Sequence, residues 1–369
     1  MAGRSTVLFV LHMPPPVHGA AMVGKYIHDS ELINSEFNCH YINLATAIGI
    51  EDIGKFKVKK VFSFWHLLRQ IRQAVKDIKP DLVYITPNAK GGPFYKDFVV
   101  VMMLKRMGCK VIAHYHNKGV SSRQERMLDN WLYQRFFKGL KVILLSERLY
   151  PDIQKYVKRG NVYICPNGIP QKDEKIISKR GETVRTPHLL FLSNLLIEKG
   201  VLVLLDAMKI LKDKGYSCVC DVVGGETAEI DARRFTEEVR ARGIQDNVLY
   251  HGKRYGAEKD MFLNDADIFV FPTFYQNECF PLVLLEAMQY SLPIITTNEG
   301  GIPDIVQEGE NGLFCDKNNP EDLAKVMMRL LDNQSLCMSM GQNGYQTYLH
   351  HYTLGAFEKR LSDILQSIE

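Results

Sequence analysis

Two glutamates, Glu278 and Glu286, stand with seven residues between them in a stretch whose grammar is strand, loop, helix, strand. The apolar run 268–271 reads as a buried strand that stops at Pro272. A loop then carries Asn277-Glu278-Cys279-Phe280, and Pro281 suits the first position of a helix over 281–290. Unpaired backbone N–H groups at that helix start favour an anion or a sugar oxygen. Glu286 falls inside the apolar run of the helix, where a carboxylate is costly unless something satisfies it. Sugar and ribose hydroxyls are natural donors to such a group, and two carboxylates at this separation can grip both ends of one ligand. The spacing alone does not decide the matter, because Glu is common. Pairing with a neighbouring Arg, or capping of a backbone group, satisfies Glu286 equally well. What adds specificity is the context, which continues with a strand at 293–296 and then Glu299-Gly300-Gly301-Ile302-Pro303.

Other residues offer weaker chemistry. His114 and His116 close the apolar run 110–115 and share one side of it if the chain is extended. A strand-end histidine is ordinarily a hydrogen-bonded core residue, and no third ligand completes a metal site. Asp265-Ala266-Asp267 has the look of a metal-binding pair, but it precedes a strand and ends a helix. It reads as solvated helix-end polarity, so no metal is expected. The loop 12–19 lacks the Gly-x-Gly-x-x-Gly fingerprint, which removes support for a dinucleotide oxidoreductase. Lys55, Lys57, Lys59 and Lys60 are interleaved with or followed by Phe56, Phe62, Phe64 and Trp65. That stretch is either a solvated loop leading into a core helix or a patch that docks on anionic lipid headgroups. No nucleic-acid-binding motif is present.

The elements that must position these residues come in two series. Over 1–168, apolar runs at 6–11, 82–85, 110–115 and 142–145 alternate with helical stretches from about residue 20 and at 67–78, 94–107 and 124–137. Residues 169–187 are polar and Pro-bounded and read as a linker. A second series follows at 188–192, 218–223, 248–251, 268–271, 293–296 and 312–315, with helices at 201–214 and 281–290. Strands alternating with helices predict parallel βαβ winding, an α/β fold. The 369 residues suit two such domains, 1–168 and 188–345, with 346–369 as a helix crossing back to the first. Two doubly wound domains sharing one ligand predict a cleft.

Charge is unevenly spread. Residues 1–168 hold 25 Lys and Arg against 12 Asp and Glu, net +13, while the remainder holds 21 against 30, net −9. A basic half of this kind meets anions: nucleic acid, an anionic membrane surface or phosphorylated substrates. The eight cysteines include no Cys-x-x-Cys pair and read as reduced thiols used as small hydrophobes. No stretch reaches the ~18 uncharged apolar residues of a membrane span. A cytoplasmic protein is expected, at most peripheral on the inner face of the cell membrane.

The segment 265–314 resembles the signature of the retaining glycosyltransferases of family 4, which have the GT-B fold of two Rossmann-like doubly wound domains facing across a cleft. Other pieces agree in order: Ile164-Cys165-Pro166-Asn167-Gly168, Phe191-Leu192-Ser193-Asn194-Leu195-Leu196-Ile197-Glu198-Lys199-Gly200, Val222-Val223-Gly224-Gly225, Tyr250-His251-Gly252 and Glu308-Gly309-Glu310-Asn311-Gly312. The match is strong over most of 160–330 and loose over 1–160. The resemblance implies that Glu278 bonds the donor sugar, Glu286 the donor ribose, and Lys199 the diphosphate, whose charge it neutralises as the leaving group departs. It implies a donor site that also takes in Asn277, Cys279, Phe280 and Gly225, and an active-site role for His116. The family usually has Arg where this chain has Asn194. Asn carries no charge, and Lys253 or Arg254 is the candidate replacement. A glycine pair is common near Gly19, and here only His18-Gly19 is present.

The resulting expectation is a retaining transfer from a nucleotide-sugar, UDP being the family's guide, to a hydroxyl of a glycan or lipid-linked glycan, without cofactor or metal. The alternatives are a nucleotide-sugar epimerase of the same fold and a non-catalytic nucleotide-sugar-binding protein.

Overall fold

The computed structural model describes residues 4–16, 18–44, 57–172 and 185–368, with the side chains of the third helix described from Phe62. Lys55 lies outside the described residues, as do the side chains of Lys57, Lys59 and Lys60. The chain divides into two compact units, residues 1–168 with 354–369, and residues 169–353.

The first unit runs β1 (Thr6–Leu11), α1 (Gly19–Asp29), α2 (Glu31–Glu36), β2 (Asn38–Asn43), α3 (Lys57–Ile78), β3 (Leu82–Ile85), α4 (Gly91–Arg106), β4 (Val111–His114), α5 (Met127–Phe137), β5 (Lys141–Leu144) and β6 (Val162–Ile164). The strands form one sheet in the order β2-β1-β3-β4-β5-β6, and every pairing is parallel. β1, β3 and β4 are apolar on both faces because helices cover both. The chain steps from β1 to β2 in one direction and thereafter in the other. Right-handed crossovers therefore put α1 and α2 on one face and α3, α4 and α5 on the other. The strand order reverses between β1 and β3.

The second unit runs β7 (His188–Leu192), α6 (Val201–Asp213), β8 (Val219–Val223), α7 (Ala232–Ala241), β9 (Val248–Tyr250), α8 (Gly256–Asp265), β10 (Ile268–Phe271), α9 (Leu282–Gln289), β11 (Ile294–Thr296), α10 (Ile302–Ile305), β12 (Gly312–Phe314), α11 (Pro320–Leu331) and α12 (Gln334–His351). Its sheet has the order β12-β11-β10-β7-β8-β9, again parallel throughout. The reversal falls between β7 and β10. The last helix, α13 (Leu354–Ile368), belongs to the first unit and packs on α2. There Glu36 accepts from the Ser362 hydroxyl and, at 3.1 Å, from the Gln366 amide.

Several boundaries differ from those read in the sequence. Ile169 and Pro170 are not free linker: the Ile169 N–H donates to Tyr352 O at 3.0 Å, and Pro170 O accepts from the Gln289 amide at 2.9 Å. Residues 346–353 stay with the second unit, because Tyr348 is buried there with its hydroxyl on Ile169 O at 3.2 Å. The crossing to the first unit comes at Leu354. Pro281 caps α9 rather than opening it, one residue earlier than its fixed φ suggested. Strands β2 and β6 have no counterpart among the runs picked out by composition.

Candidate active site

In the second unit the loops after β7 and β10 flank the point where strand order reverses, which is where open parallel sheets bind ligands. Backbone bonds tie these loops together. Phe274 N–H donates to Glu198 O at 2.8 Å, and the hydroxyl of Thr273 to the same oxygen at 3.4 Å. Gly200 lets the two loops touch. Its φ is +85°, and a Cβ there would sit 2.2 Å from Pro272 O. The consequence is that Lys199, the residue before it, pairs with Glu278 through Nζ and Oε2. The ammonium also lies 4.7 Å from the Tyr275 ring and 5.3 Å from the Phe271 ring. Side-chain exposures of 15% and 9% make this a largely desolvated pair. Gly300, at φ +55°, packs a second loop against the Glu278 carbonyl, where a Cβ would come within 2.1 Å.

Glu286 sits on α9, and Lys259 of α8 donates to its Oε1 at 2.7 Å. The other oxygen, Oε2, is buried without a hydrogen-bond partner. The ion pair is thus one of the ordinary ways of satisfying this carboxylate, though with a Lys from another helix. It leaves half the group's accepting capacity unused. Asn277 likewise has a buried Oδ1 without a partner. Cys279 and Phe280 are buried, the Phe280 ring lying edge-on to Tyr352 at 5.7 Å.

At the outer side of the β7 loop, Gly225 donates its N–H to Asn194 Oδ1 at 3.2 Å. A Cβ on Gly225 would meet that oxygen at 3.0 Å and Lys253 Cδ at 3.5 Å. Asn194, Gly225 and Lys253 are therefore neighbours. Arg254 is exposed and turns to Glu258 at 3.8 Å. Asp267 is committed to structure: its carboxylate accepts from Arg185 at 2.9 Å and from the His188 N–H at 2.8 Å, pinning the start of β7. Among the described residues no group of three or more His, Cys, Asp or Glu is arranged to hold a metal.

In the first unit His114 is a core residue, its Nδ1 2.6 Å from the Tyr84 hydroxyl. His116 differs. Both of its ring nitrogens are shut off from solvent and without partners, and its ring lies 4.3 Å from that of His114. Burial, with His12 and His18 nearby, pushes its pKa down to about 3, so the ring is neutral near pH 7. His12, at the end of β1, bonds Thr86 Oγ1 at 3.2 Å, and burial and Lys96 lower its pKa to about 4. His18 caps α1 by accepting from Ala21 N–H at 3.3 Å. Gly19 opens α1 into open space, whereas the glycine the fold needs is Gly24, where a Cβ would meet His12 O at 1.9 Å. Lys259, Tyr275 and His12 went unnoticed in the sequence. Only His12 had a signal, its place at the end of the first strand.

The second unit is thus a parallel α/β domain whose reversal point holds a lysine–carboxylate pair beside a glycine-held loop. Residues 172–347, most of the second unit, match the family model of glycosyl transferases group 1. An uncharacterized glycosyltransferase of Methanocaldococcus jannaschii is 27% identical over 55% of this chain and 53% of its own length. The O-antigen chain mannosyltransferase C of Escherichia coli is 26% identical over 67% of this chain and 66% of its own. The chain thus spans between half and two thirds of these relatives. Among solved structures, Anabaena HepE in complex with UDP superposes with a TM-score of 0.76 at 15% identity, covering 98% of this chain and 100% of that one. The fold is GT-B.

Proposed function

We propose that the protein is a retaining glycosyltransferase that moves a sugar from a nucleotide-sugar, with UDP the favoured nucleotide, to a hydroxyl of a glycan or lipid-linked glycan in polysaccharide biosynthesis. The observation that carries this reading is the Lys199–Glu278 pair at the reversal point, with, on the helix that follows β10, a Glu286 whose buried Oε2 has no donor. A ribose hydroxyl donating to that oxygen recovers part of the ~1–3 kcal/mol an unsatisfied buried acceptor costs. Lys199 is placed to neutralise a diphosphate, with Lys253 assisting where Asn194 supplies no charge. Glu278 then accepts from hydroxyls of the donor sugar. The relatives' names support the class of acceptor: the E. coli protein acts on an O-antigen chain, and HepE holds UDP.

In the reaction, the bond from the anomeric carbon to the diphosphate oxygen breaks, its electron pair staying with the diphosphate. The acceptor oxygen bonds the same carbon from the same face, and its proton passes to the departing phosphate. Lys199 stabilises charge where it develops. An active-site role for His116 is proposed from the family resemblance. No residue is assigned as a covalent nucleophile, and no metal or cofactor takes part. The work is assigned to the cytoplasm, at most on the membrane's inner face.

The test is mass analysis of product after incubating UDP-sugars with and without glycan acceptors in the presence of a chelator. Acceptor-dependent glycosylated product is expected. Release of an epimer or of UDP irrespective of acceptor would replace this reading with an epimerase. A full loss of turnover on chelation would return Asp265 and Asp267 to consideration.

A further inference from the structure

Both tryptophans of the chain, Trp65 and Trp131, are exposed, at 62% and 47%. Exposure of every Trp in a protein of this size is uncommon, since the side chain is usually mostly buried. They do not stand alone. Trp65 shares the open side of α3 with Phe62, Trp131 that of α5 with Met127 and Leu128, and Tyr95 and Val99 lie exposed on α4 between them. These are all the large exposed apolar side chains described in the first unit, and every one falls on the α3–α4–α5 face of its sheet. All but Val99, just past the middle of α4, occupy the N-terminal halves of their helices. Each helix returns antiparallel to the strands, so the side chains form a band toward the strands' C-terminal edge, the edge that carries His12 and His116.

The charges around this band are mostly basic, with Glu125 and Asp77 the exposed acids among them. The open side of α3 continues from Trp65 to Arg69, Arg72 and Lys76, all exposed. The Arg135 guanidinium lies 3.5 Å over the Trp131 ring. Arg126 stands at the N-cap of α5 and makes no side-chain capping bond there. The α4–α5 seam is held rigid beneath, with the Tyr95 hydroxyl donating to buried Asp129 at 2.7 Å. Of the band, Tyr95 thus serves this seam through its hydroxyl, while its ring edge stays exposed.

We propose that this band is the surface by which the protein docks on an anionic lipid bilayer. Trp and Arg together suit the interfacial zone, where amphipathic rings sit at headgroup level and guanidinium groups meet phosphates. A second copy of the same face would oppose like charges, which argues against self-association. The docking stands on this surface alone. Its use, keeping a lipid-linked acceptor near the edge that carries His12 and His116, rests on the function proposed above.

Because the band holds both tryptophans, intrinsic fluorescence reads its environment directly. The whole chain is mixed with phosphatidylcholine vesicles, with and without phosphatidylglycerol, and sedimentation is followed in parallel. The expected result is co-sedimentation and a blue shift only with the anionic vesicles, quenched by brominated lipid tails. Trp65→Ser with Trp131→Ser, and separately Arg126→Glu with Arg135→Glu, should each lower the bound fraction about tenfold. UDP binding by the same preparations should be unchanged, which shows them folded. Absence of binding, or equal binding to neutral vesicles, would overturn the proposal. So would concentration-dependent self-association without lipid that either double substitution abolishes. Lost vesicle binding with retained UDP binding indicts only this surface, and the converse indicts only the function proposed above.

Discussion

Lys199 and Glu278 neutralise one another in a site where neither charge is well hydrated. Removing one partner from a desolvated pair costs about 3 kcal/mol or more, while removing both is far cheaper. Lys199→Ala and Glu278→Ala should therefore each lower melting temperature and lower turnover at least about tenfold. The double variant should recover much of the stability and none of the activity, as read by calorimetry beside a transfer assay. If activity returned with stability, the pair would be structural only. Glu286→Gln should weaken donor binding about tenfold, the scale of one charge-assisted hydrogen bond, because the amide cannot offer both oxygens. Glu286 stood out in the sequence because a carboxylate inside an apolar helix breaks a local rule, whereas Lys199 was singled out only by the family resemblance. The partner of Glu286 was not legible. Lys259 lies 27 residues from Glu286, and nothing in either local pattern links the two.

The strand–loop–helix units behave as devices for bringing loops into contact, and their glycines separate fold from function. Gly200→Ala meets Pro272 O at 2.2 Å at a φ of +85°, so it should destabilise by about 2 kcal/mol or more and displace Lys199. At Gly225 a Cβ meets only the movable side chains of Asn194 and Lys253. Gly225→Ala should leave the thermal transition nearly unchanged while weakening donor binding, as seen by comparing melting curves with and without UDP. Runs buried on both faces, such as 82–85 and 268–271, announced themselves in sequence because only a covered parallel strand is apolar throughout. β2 did not: it is an edge strand whose residues Asn38, His40 and Asn43 lack any apolar alternation. The start of α3 was hidden by a lysine-rich stretch, which suppresses the periodicity that marks its later turns.

Across the whole chain, acid should act through buried neutral histidines. His116 and His12 have folded-state pKa values pushed down to about 3 and about 4 from 6.5. The unfolded chain then binds more protons between these values and 6.5, so stability is complete above about pH 6.5 and falls as pH drops through that window. Between pH 6 and 5 each such histidine removes about 1 kcal/mol. His116→Asn should flatten the decline by that amount in urea titrations across this range; an unchanged slope would show that His116 takes up its proton while folded. At this scale the sequence was most legible. Two series of βαβ units and a charge imbalance between them are properties of long stretches. The three-helix band of exposed aromatics was not legible, because its members are scattered along the chain from Phe62 to Trp131.

The account depends on one site in the second unit holding a sugar nucleotide between Lys199, Glu278 and Glu286. Titration calorimetry with UDP-sugars in excess chelator tests it most directly. The account predicts one-site binding by the unaltered chain, weakened about tenfold or more in Lys199→Ala and in Glu286→Ala. Binding of equal strength in all three proteins, or none to any nucleotide-sugar, would contradict it.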